Sequence, residues 1–149
     1  MLLFDCFVVN KINDDYRFLM LKRAKGKMYE GMWRMVAGKI KPNEKAWEAC
    51  LREIQEETNL KIDELYSVPF VNSFYEWETD SIHSIPVFLA ITKESKVTMN
   101  DEHDKYEWLY IDEAISRLEW PGQKKGIEES FKMLTNKLLQ QLLRIKLEN

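Results

Sequence analysis

The segment GKIKPNEKAWEACLREIQEETNL, residues 38–60, places five glutamates and one arginine after a single glycine. Three of the acids, Glu53, Glu56 and Glu57, share one side of a helix when residues are plotted at 100° each. Like charges at this spacing cost roughly 0.2–0.5 kcal/mol per pair. The cluster therefore predicts a positively charged partner outside the helix.

The same segment predicts an amphipathic helix from about Glu44 to Thr58. We expect Asn43 to cap its first amide groups. An apolar stripe on this helix is expected to pack against a sheet; it consists of Trp47, Leu51, Ile54 and Thr58. The acids lie about a quarter turn from that stripe. We therefore expect all three to face outward, in a groove between the helix and the loop that contains Gly38.

A divalent cation would relieve the repulsion, because Mg²⁺ takes oxygen ligands from a few carboxylates, water and substrate phosphates. The carbonyl of Gly38 could add a further oxygen, since a residue without a side chain lets the backbone come close. Arg52 is placed to brace a carboxylate while other oxygens stay available to the cation. A solvated acidic helix face is the alternative on the acids alone.

The rest of the chain predicts strands interleaved with helices, which is typical of an α/β fold with a mixed sheet covered on both faces. Strands are expected at 3–9, 16–21, 32–38, 64–77, 83–92 and 106–111, the first two forming a hairpin. Helices are expected at 112–118 and, as one long element, from about 122 toward 146. We expect residues 1–149 to form a single domain, with a helical extension from about residue 132.

Composition excludes several classes of function. A net charge of −3 over 149 residues provides no broad positive surface for nucleic acid or for an anionic membrane. The apolar start, residues 1–10, is short and contains Asp5, so it is interpreted as a buried strand and not as a signal peptide. Two cysteines, Cys6 and Cys50, have no paired or metal-ligand spacing, which favours the reducing cytoplasm.

The spacing of the fixed residues in this segment resembles the Nudix box. The matching positions are Gly38, Glu44, Arg52, Glu53, Ile54, Glu56, Glu57 and Leu60. Asn59 stands where the family usually has glycine, and we expect it to keep the left-handed conformation that ends the helix. The resemblance implies an α/β/α sandwich and a Mg²⁺- or Mn²⁺-dependent hydrolase of nucleoside diphosphate derivatives.

The resemblance also implies roles for the acids. Glu56 and Glu57 are expected to be metal ligands, and Glu53 either a ligand or the general base. Some members take the base from a later loop, which makes Glu102 a candidate; a solvated loop acid is the alternative for this residue. The family pattern would thus place Glu53, Arg52 and Glu102 in the catalytic machinery, with Gly38 beside the metal.

Residues outside the box are the candidates for substrate binding: Arg23, Trp33, Lys39 and Tyr75. Arg23 could grip a terminal phosphate as a permanently charged fork. Trp33 and Tyr75 could stack on a flat ring, although most aromatic side chains belong to a core. The two histidines, His83 and His103, are interpreted as structural or surface residues.

Residues 102–131 resemble the family branch of dATP pyrophosphohydrolases and dihydroneopterin triphosphate pyrophosphatases. That likeness implies a nucleoside or pterin triphosphate, cleaved to a monophosphate and pyrophosphate. The leucine-rich stretch after residue 131 is expected to pack on the domain or on the second subunit of a homodimer.

Two alternatives remain. A diadenosine polyphosphate hydrolase or a nucleotide-sugar hydrolase shares the box, and the position of Tyr75 resembles the diadenosine group. A nucleotide-sensing module without turnover is the alternative from another class. Such modules commonly lose box acids, whereas Glu53, Glu56 and Glu57 are all present here, which favours the enzyme.

Overall fold

A computed structural model describes residues 2–147 of the chain. Eight strands and four helices are found in this range. In chain order they are β1 (Leu3–Ile12), β2 (Asp15–Arg23), β3 (Trp33–Arg34), β4 (Val36–Lys39), α1 (Ala46–Thr58), β5 (Glu64–Glu76), β6 (Ser81–Thr92), β7 (His103–Leu109), α2 (Ile111–Arg117), α3 (Pro121–Met133), α4 (Lys137–Leu143) and β8 (Arg144–Ile145).

The described strands form one mixed sheet in the order β3-β2-β1-β6-β5-β8, with β4 also paired to β1 and β7 to β2. β1 runs parallel to β6 and antiparallel to β2 and β4. The predicted opening hairpin is confirmed, with a turn shorter than expected because both strands continue to Ile12 and Asp15. β4 leads directly from this sheet into the loop before α1.

Alternating residues of β1 divide the core between the two faces of the sheet, as the period of two requires. Phe7 and Val9 belong to a cluster that includes Ile127 and Met133 of α3. Cys6 and its neighbours on the other face pack against α1. Helices therefore cover both faces, and the predicted α/β sandwich is confirmed.

The entry to α1 differs from the prediction that Asn43 caps the helix. Asn43 has a φ of 65° and lies outside the helix, and the N-cap is Lys45. The side chain of Glu48 accepts a 2.9 Å hydrogen bond from the Lys45 amide, half of a capping box. At the other end Asn59 has a φ of 57°, so the predicted left-handed conformation is confirmed.

The prediction of one long C-terminal helix is wrong. α3 ends at Met133, and α4 begins after Asn136, whose side chain accepts from the Leu139 amide at 3.1 Å. The chain then adds β8 to the edge of the sheet beside β5. Leu139 and Leu143 pack against the core, whereas Leu138 and Leu142 stay exposed. A capping residue inside the leucine-rich stretch thus divides it. No helix within residues 2–147 is long and apolar enough to cross a membrane.

Candidate active site

The Gly38 end of β4 lies directly against α1. A Cβ atom built on Gly38 would come within 2.9 Å of Cγ and 3.0 Å of Cδ of Glu53. Any side chain at residue 38 would therefore push Glu53 out of its place. The close approach that the sequence predicted for a glycine at this position is present.

Arg52 ties the loop before α1 to the helix. Its Nε and Nη2 donate to the two oxygens of Glu44 at 2.8 and 3.1 Å, and its Nη1 donates to Glu53 Oε1 at 2.7 Å. Nη2 also donates to the Lys39 carbonyl at 3.0 Å. These contacts hold the pKa of Glu44 down at about 2, with the hydrogen bond from Arg52 as the main cause. One guanidinium therefore orients Glu53 and fixes the loop.

Glu57 differs from the expectation that all three acids face outward, because it is only 2% exposed. Its Oε2 has no hydrogen-bond partner within residues 2–147. Burial raises the pKa of Glu57 to about 9, and the neighbouring Glu53 adds to this rise. Glu56, in contrast, has a side chain that is 51% exposed, with Oε2 3.5 Å from Arg52 Nη1. Of the three clustered acids, Glu57 is thus buried, Glu53 is half-buried and Glu56 lies at the rim.

The start of β7 lies beside Glu57, the buried member of the three acids. β2 pairs with β7 so that Arg23 lies opposite His103, and the Ala24 amide donates to the Glu102 carbonyl at 2.9 Å. The Thr98 amide donates to the Thr58 carbonyl at 3.0 Å, which holds the incoming loop against the end of α1. As a result, ligand atoms of Glu57, Glu102 and His103 lie within 4.8 Å of one another.

The His103 ring is buried beside Glu57. Its Nδ1 lies 3.6 Å from Glu57 Oε1, and the side chain is 1% exposed. Burial lowers the pKa of His103 to about 4, and the charges of Arg23 and Arg34 lower it further. The ring is therefore neutral at physiological pH. Neither of its nitrogens has a hydrogen-bond partner in the described part of the chain.

These residues fit a divalent cation. Leaving a buried carboxylate oxygen without a partner costs on the order of 1–3 kcal/mol, and Glu57 Oε2 is such an atom. Glu53 and Glu102 bring further acidic oxygens beside it. Hard oxygen donors of this kind suit Mg²⁺ or Mn²⁺. Arg34, itself partly buried, is the positive side chain that opposes the rise in the pKa of Glu57.

The pKa of Glu57 predicts how the stability of the metal-free protein depends on pH. The pKa rises from 4.5 to about 9 on folding, so between about pH 6.5 and 8 the folded chain keeps a proton that the unfolded chain has released. The free energy of unfolding should therefore fall as pH rises, by up to about 1.4 kcal/mol per pH unit. His103, with its pKa lowered from 6.5 to about 4, destabilises the fold as pH falls through about 6.5, so it offsets a small part of this trend at the lower end of the range.

Urea unfolding in EDTA, repeated with Mg²⁺, measures this dependence. Mg²⁺ should flatten the slope because it binds the ionised carboxylate. Glu57→Gln should have a shallower slope in EDTA than the unsubstituted protein. Equal stability of the unsubstituted protein at pH 6.5 and 8 in EDTA would contradict a retained proton on Glu57.

Two basic candidates for substrate binding flank the cluster. Arg23 precedes the loop that contacts Glu102, and its Nε donates to the Met28 carbonyl at 3.1 Å. The Lys39 side chain is exposed, while the Lys39 carbonyl is held by Arg52. Both residues thus lie next to segments that carry the acids.

The two aromatic candidates have different surroundings. Trp33 is half-buried, and the Arg117 guanidinium stacks over its ring at 4.6 Å from the centroid. Tyr75 is 59% exposed near the tip of the β5–β6 hairpin. Its hydroxyl donates to Asp80 at 2.7 Å within the hairpin's own turn. The contacts described for Tyr75 are thus confined to the hairpin.

Sequence reasoning missed three polar residues that the fold buries. His103 was interpreted as structural or surface, and only its place after Glu102 could have linked it to the acids. Asp5 lies on the other face of the sheet, where Asn72 Nδ2 donates to its Oδ2 at 3.1 Å. Burial raises the pKa of Asp5 to about 6. A Cβ at Gly122 would overlap the Asn72 side chain, so α3 presses directly on this pair.

A family model described as the NUDIX domain matches residues 4–130. The chain belongs to the Nudix family. It is a Nudix pyrophosphohydrolase. The matched range ends just before the break between α3 and α4.

Three curated relatives resemble the chain at low identity. An octanoyltransferase of Myxococcus xanthus is 24% identical over 131 residues, covering 83% of this chain but only 34% of that protein. The asymmetrical bis(5'-nucleosyl)-tetraphosphatase of Rattus norvegicus is 26% identical, with 82% and 83% covered. The nucleoside triphosphatase NudI of Klebsiella pneumoniae is 27% identical, with 66% and 76% covered.

Solved structures share the fold. A Nudix hydrolase of Listeria monocytogenes superposes with a TM-score of 0.75 at 27% identity, covering 91% of this chain and 94% of that one. The Ap4A hydrolase of C. elegans gives 0.72 at 19%, covering 89% and 96%. The dihydroneopterin triphosphate pyrophosphohydrolase of E. coli gives 0.69 at 19%, covering 85% and 92%.

Proposed function

We propose that this Nudix hydrolase cleaves a nucleoside or pterin triphosphate to the monophosphate and pyrophosphate, with Mg²⁺ or Mn²⁺ as its cofactor. The observation that supports metal dependence most directly is the buried Oε2 of Glu57, which lacks a partner among residues 2–147 and belongs to a side chain next to Glu53 and Glu102. We propose Glu53, Glu56 and Glu57 as side-chain ligands and the Gly38 carbonyl as a backbone ligand. A bound divalent cation would neutralise charge on phosphate oxygens and lower the pKa of a bound water.

The chain's own residues supply the remaining requirements. Arg52 holds Glu53 in one orientation through a 2.7 Å hydrogen bond, so this carboxylate needs little rearrangement during the reaction. Glu102 lies on the loop that enters β7, with a carboxylate oxygen within 4.8 Å of an oxygen of Glu57. We assign to Glu53 and Glu102 the holding of the attacking water, with one of them accepting its proton.

Binding of the phosphate chain is assigned to basic residues beside these acids. Arg23 offers a planar fork that suits phosphate oxygens, and Lys39 offers a mobile point charge. For the flat ring of the substrate we propose Trp33 and Tyr75, the two candidates with aromatic surface near the rims of the sheet. The Klebsiella pneumoniae relative, which this chain covers over 76% of its length, is named as a nucleoside triphosphatase, and this supports a triphosphate substrate.

A second candidate is the hydrolysis of a diadenosine polyphosphate. The rat relative, which this chain covers over 83% of its length, is named as an asymmetrical bis(5'-nucleosyl)-tetraphosphatase. A substrate of that kind needs room for a second nucleoside beyond the phosphates. The exposed ring of Tyr75 offers aromatic surface for it.

A substrate panel with product identification tests the two candidates. Nucleoside triphosphates, dihydroneopterin triphosphate, diadenosine tetraphosphate and a nucleotide sugar are each incubated with enzyme and Mg²⁺. Phosphate is then assayed with and without inorganic pyrophosphatase, and the nucleotide products, such as ATP and AMP from diadenosine tetraphosphate, are separated and quantified by ion-exchange chromatography. A triphosphate should release detectable phosphate only when pyrophosphatase is present. Higher kcat/KM on diadenosine tetraphosphate favours the second candidate, and free phosphate without pyrophosphatase contradicts the proposed cleavage.

A further inference from the structure

The His103 ring is enclosed at the inner end of the glutamate cluster by elements that hold it firmly. β7 begins at His103 and pairs there with Arg23 of β2. The loop before β7 is fixed to the end of α1 by the Thr98 to Thr58 hydrogen bond. The ring is therefore placed by the sheet and by α1 together, in contact range of Glu57 at 3.6 Å.

This placement leaves polar atoms that the described residues do not satisfy. Nδ1 and Nε2 of His103 and Oε2 of Glu57 are all buried without a partner in residues 2–147. A neutral imidazole has one N–H to donate and one nitrogen that accepts. Each buried polar atom without a partner costs on the order of 1–3 kcal/mol. A native fold rarely leaves buried polar atoms such as these unpaired unless a further group supplies the missing partner.

The side chain of Glu57 supplies the partner that the His103 ring lacks. A carboxylate oxygen accepts a charge-assisted hydrogen bond from an imidazole N–H. The gap of 3.6 Å between Nδ1 and Oε1 closes with a small side-chain movement. The second oxygen, Oε2, is then left as a ligand atom. Carboxylates that bind metals are commonly oriented by such a hydrogen bond, made to the oxygen that does not face the metal.

We propose that His103 is a positioning residue, whose Nδ1–H donates to Glu57 Oε1 and presents the other oxygen of that carboxylate to a divalent cation. The inference rests on the metal role of Glu57 proposed above. His103 touches neither substrate nor the cation, and its effect passes through Glu57. It raises the affinity for Mg²⁺ or Mn²⁺ and leaves the chemistry of the bound complex largely unchanged.

Two substitutions separate positioning from packing. His103→Leu replaces the ring with an apolar side chain of similar bulk that cannot donate a hydrogen bond. His103→Asn instead places an amide nitrogen near the position of Nδ1. We expect His103→Leu to weaken Mn²⁺ binding by about 10–100-fold and His103→Asn to restore most of it. Calorimetric titration of the metal into each protein measures this without turnover. His83→Leu, on β6, is the matched control with unchanged affinity.

Stability in EDTA provides the second readout. Because His103→Leu removes two buried nitrogens that lack partners among the described residues, it should unfold at the same urea concentration as the unsubstituted protein or a higher one. Saturating Mn²⁺ should also restore its kcat. A loss of stability in EDTA that matches the loss of affinity would instead show a packing role and overturn the proposal.

Measurements on the unsubstituted protein decide the matter even if a variant fails to fold. The chain has two histidines, so the ¹⁵N-labelled imidazole signals are few, and His83→Leu assigns them. Adding Mg²⁺ should bring out a slowly exchanging downfield N–H of His103. Its absence, or a directly bound nitrogen in the electron spin echo spectrum of the Mn²⁺ complex, overturns positioning. Absence of Mn²⁺ binding overturns the proposed function itself, whereas equal binding by His103→Leu overturns only this inference.

Discussion

Replacing Glu57 with glutamine should lower kcat/KM by about 1,000-fold, because a bound cation contributes several kcal/mol to the transition state and each ~1.4 kcal/mol is one decade. Glutamine keeps the shape of the side chain and one carbonyl oxygen, but it has no charge with which to hold the metal. Steady-state kinetics with Mg²⁺ measure the loss, and Mn²⁺ titration measures the accompanying fall in metal affinity.

The fold should tolerate this change, although the side chain is buried and not exposed as the sequence predicted. Burial raises the pKa of Glu57 to about 9, so in the metal-free protein at pH 7 the carboxyl is already neutral. A neutral amide in its place therefore introduces no new charge penalty. The free energy of unfolding in EDTA at this pH should stay close to that of the unsubstituted protein.

Glu48→Gln is the matched control, because Glu48 lies on the same helix but is exposed and accepts a hydrogen bond from Lys45. Glutamine can still accept that bond, so activity should be retained. If Glu57→Gln kept near-normal turnover at limiting Mg²⁺, the metal role of Glu57 would be wrong. If both variants failed to fold, the loss of activity would instead be caused by destabilisation of α1.

The parts of the fold that followed from the sequence are those governed by local patterns. The opening hairpin, the span of α1 within two residues and the left-handed Asn59 were predictable from periodicity and turn chemistry. The C-terminal region was not, because its leucines suit a continuous helix. The break after Met133 depends on the cap by Asn136 and on the pairing of β8 with β5, and the latter is a long-range contact.

The candidate site was likewise predictable only where it depends on local sequence. The residues of α1 and of the Gly38 loop could be brought together from their spacing, since all lie within one short segment. The burial of Glu57 and the position of His103 could not be predicted, because both depend on β2 pairing with β7, whose partner residues lie 80 or more positions apart in the sequence. A helical wheel shows which side of α1 a residue occupies, but not which other strand covers that side.

The Arg52 guanidinium is the second position where a large effect is expected. Arg52→Ala should lower kcat/KM by about 100-fold, because Glu53 loses its 2.7 Å hydrogen bond and the Lys39 and Glu44 contacts that fix the loop are lost as well. Kinetics at saturating and at limiting Mg²⁺ distinguish a fall in kcat from a fall in metal affinity.

Arg52→Lys tests whether charge alone is sufficient. A lysine carries the same charge, but its donors sit on one nitrogen and cannot reach both oxygens of Glu44 together with Glu53 and the Lys39 carbonyl. We therefore expect Arg52→Lys to recover only a small part of the activity. Arg17→Lys, on β2 where Arg17 contacts Asp15 and Tyr110, is the matched control and should be fully active. Full activity of Arg52→Lys would mean that a positive charge near Glu53 is enough, and that the shared geometry of the guanidinium has no part in catalysis.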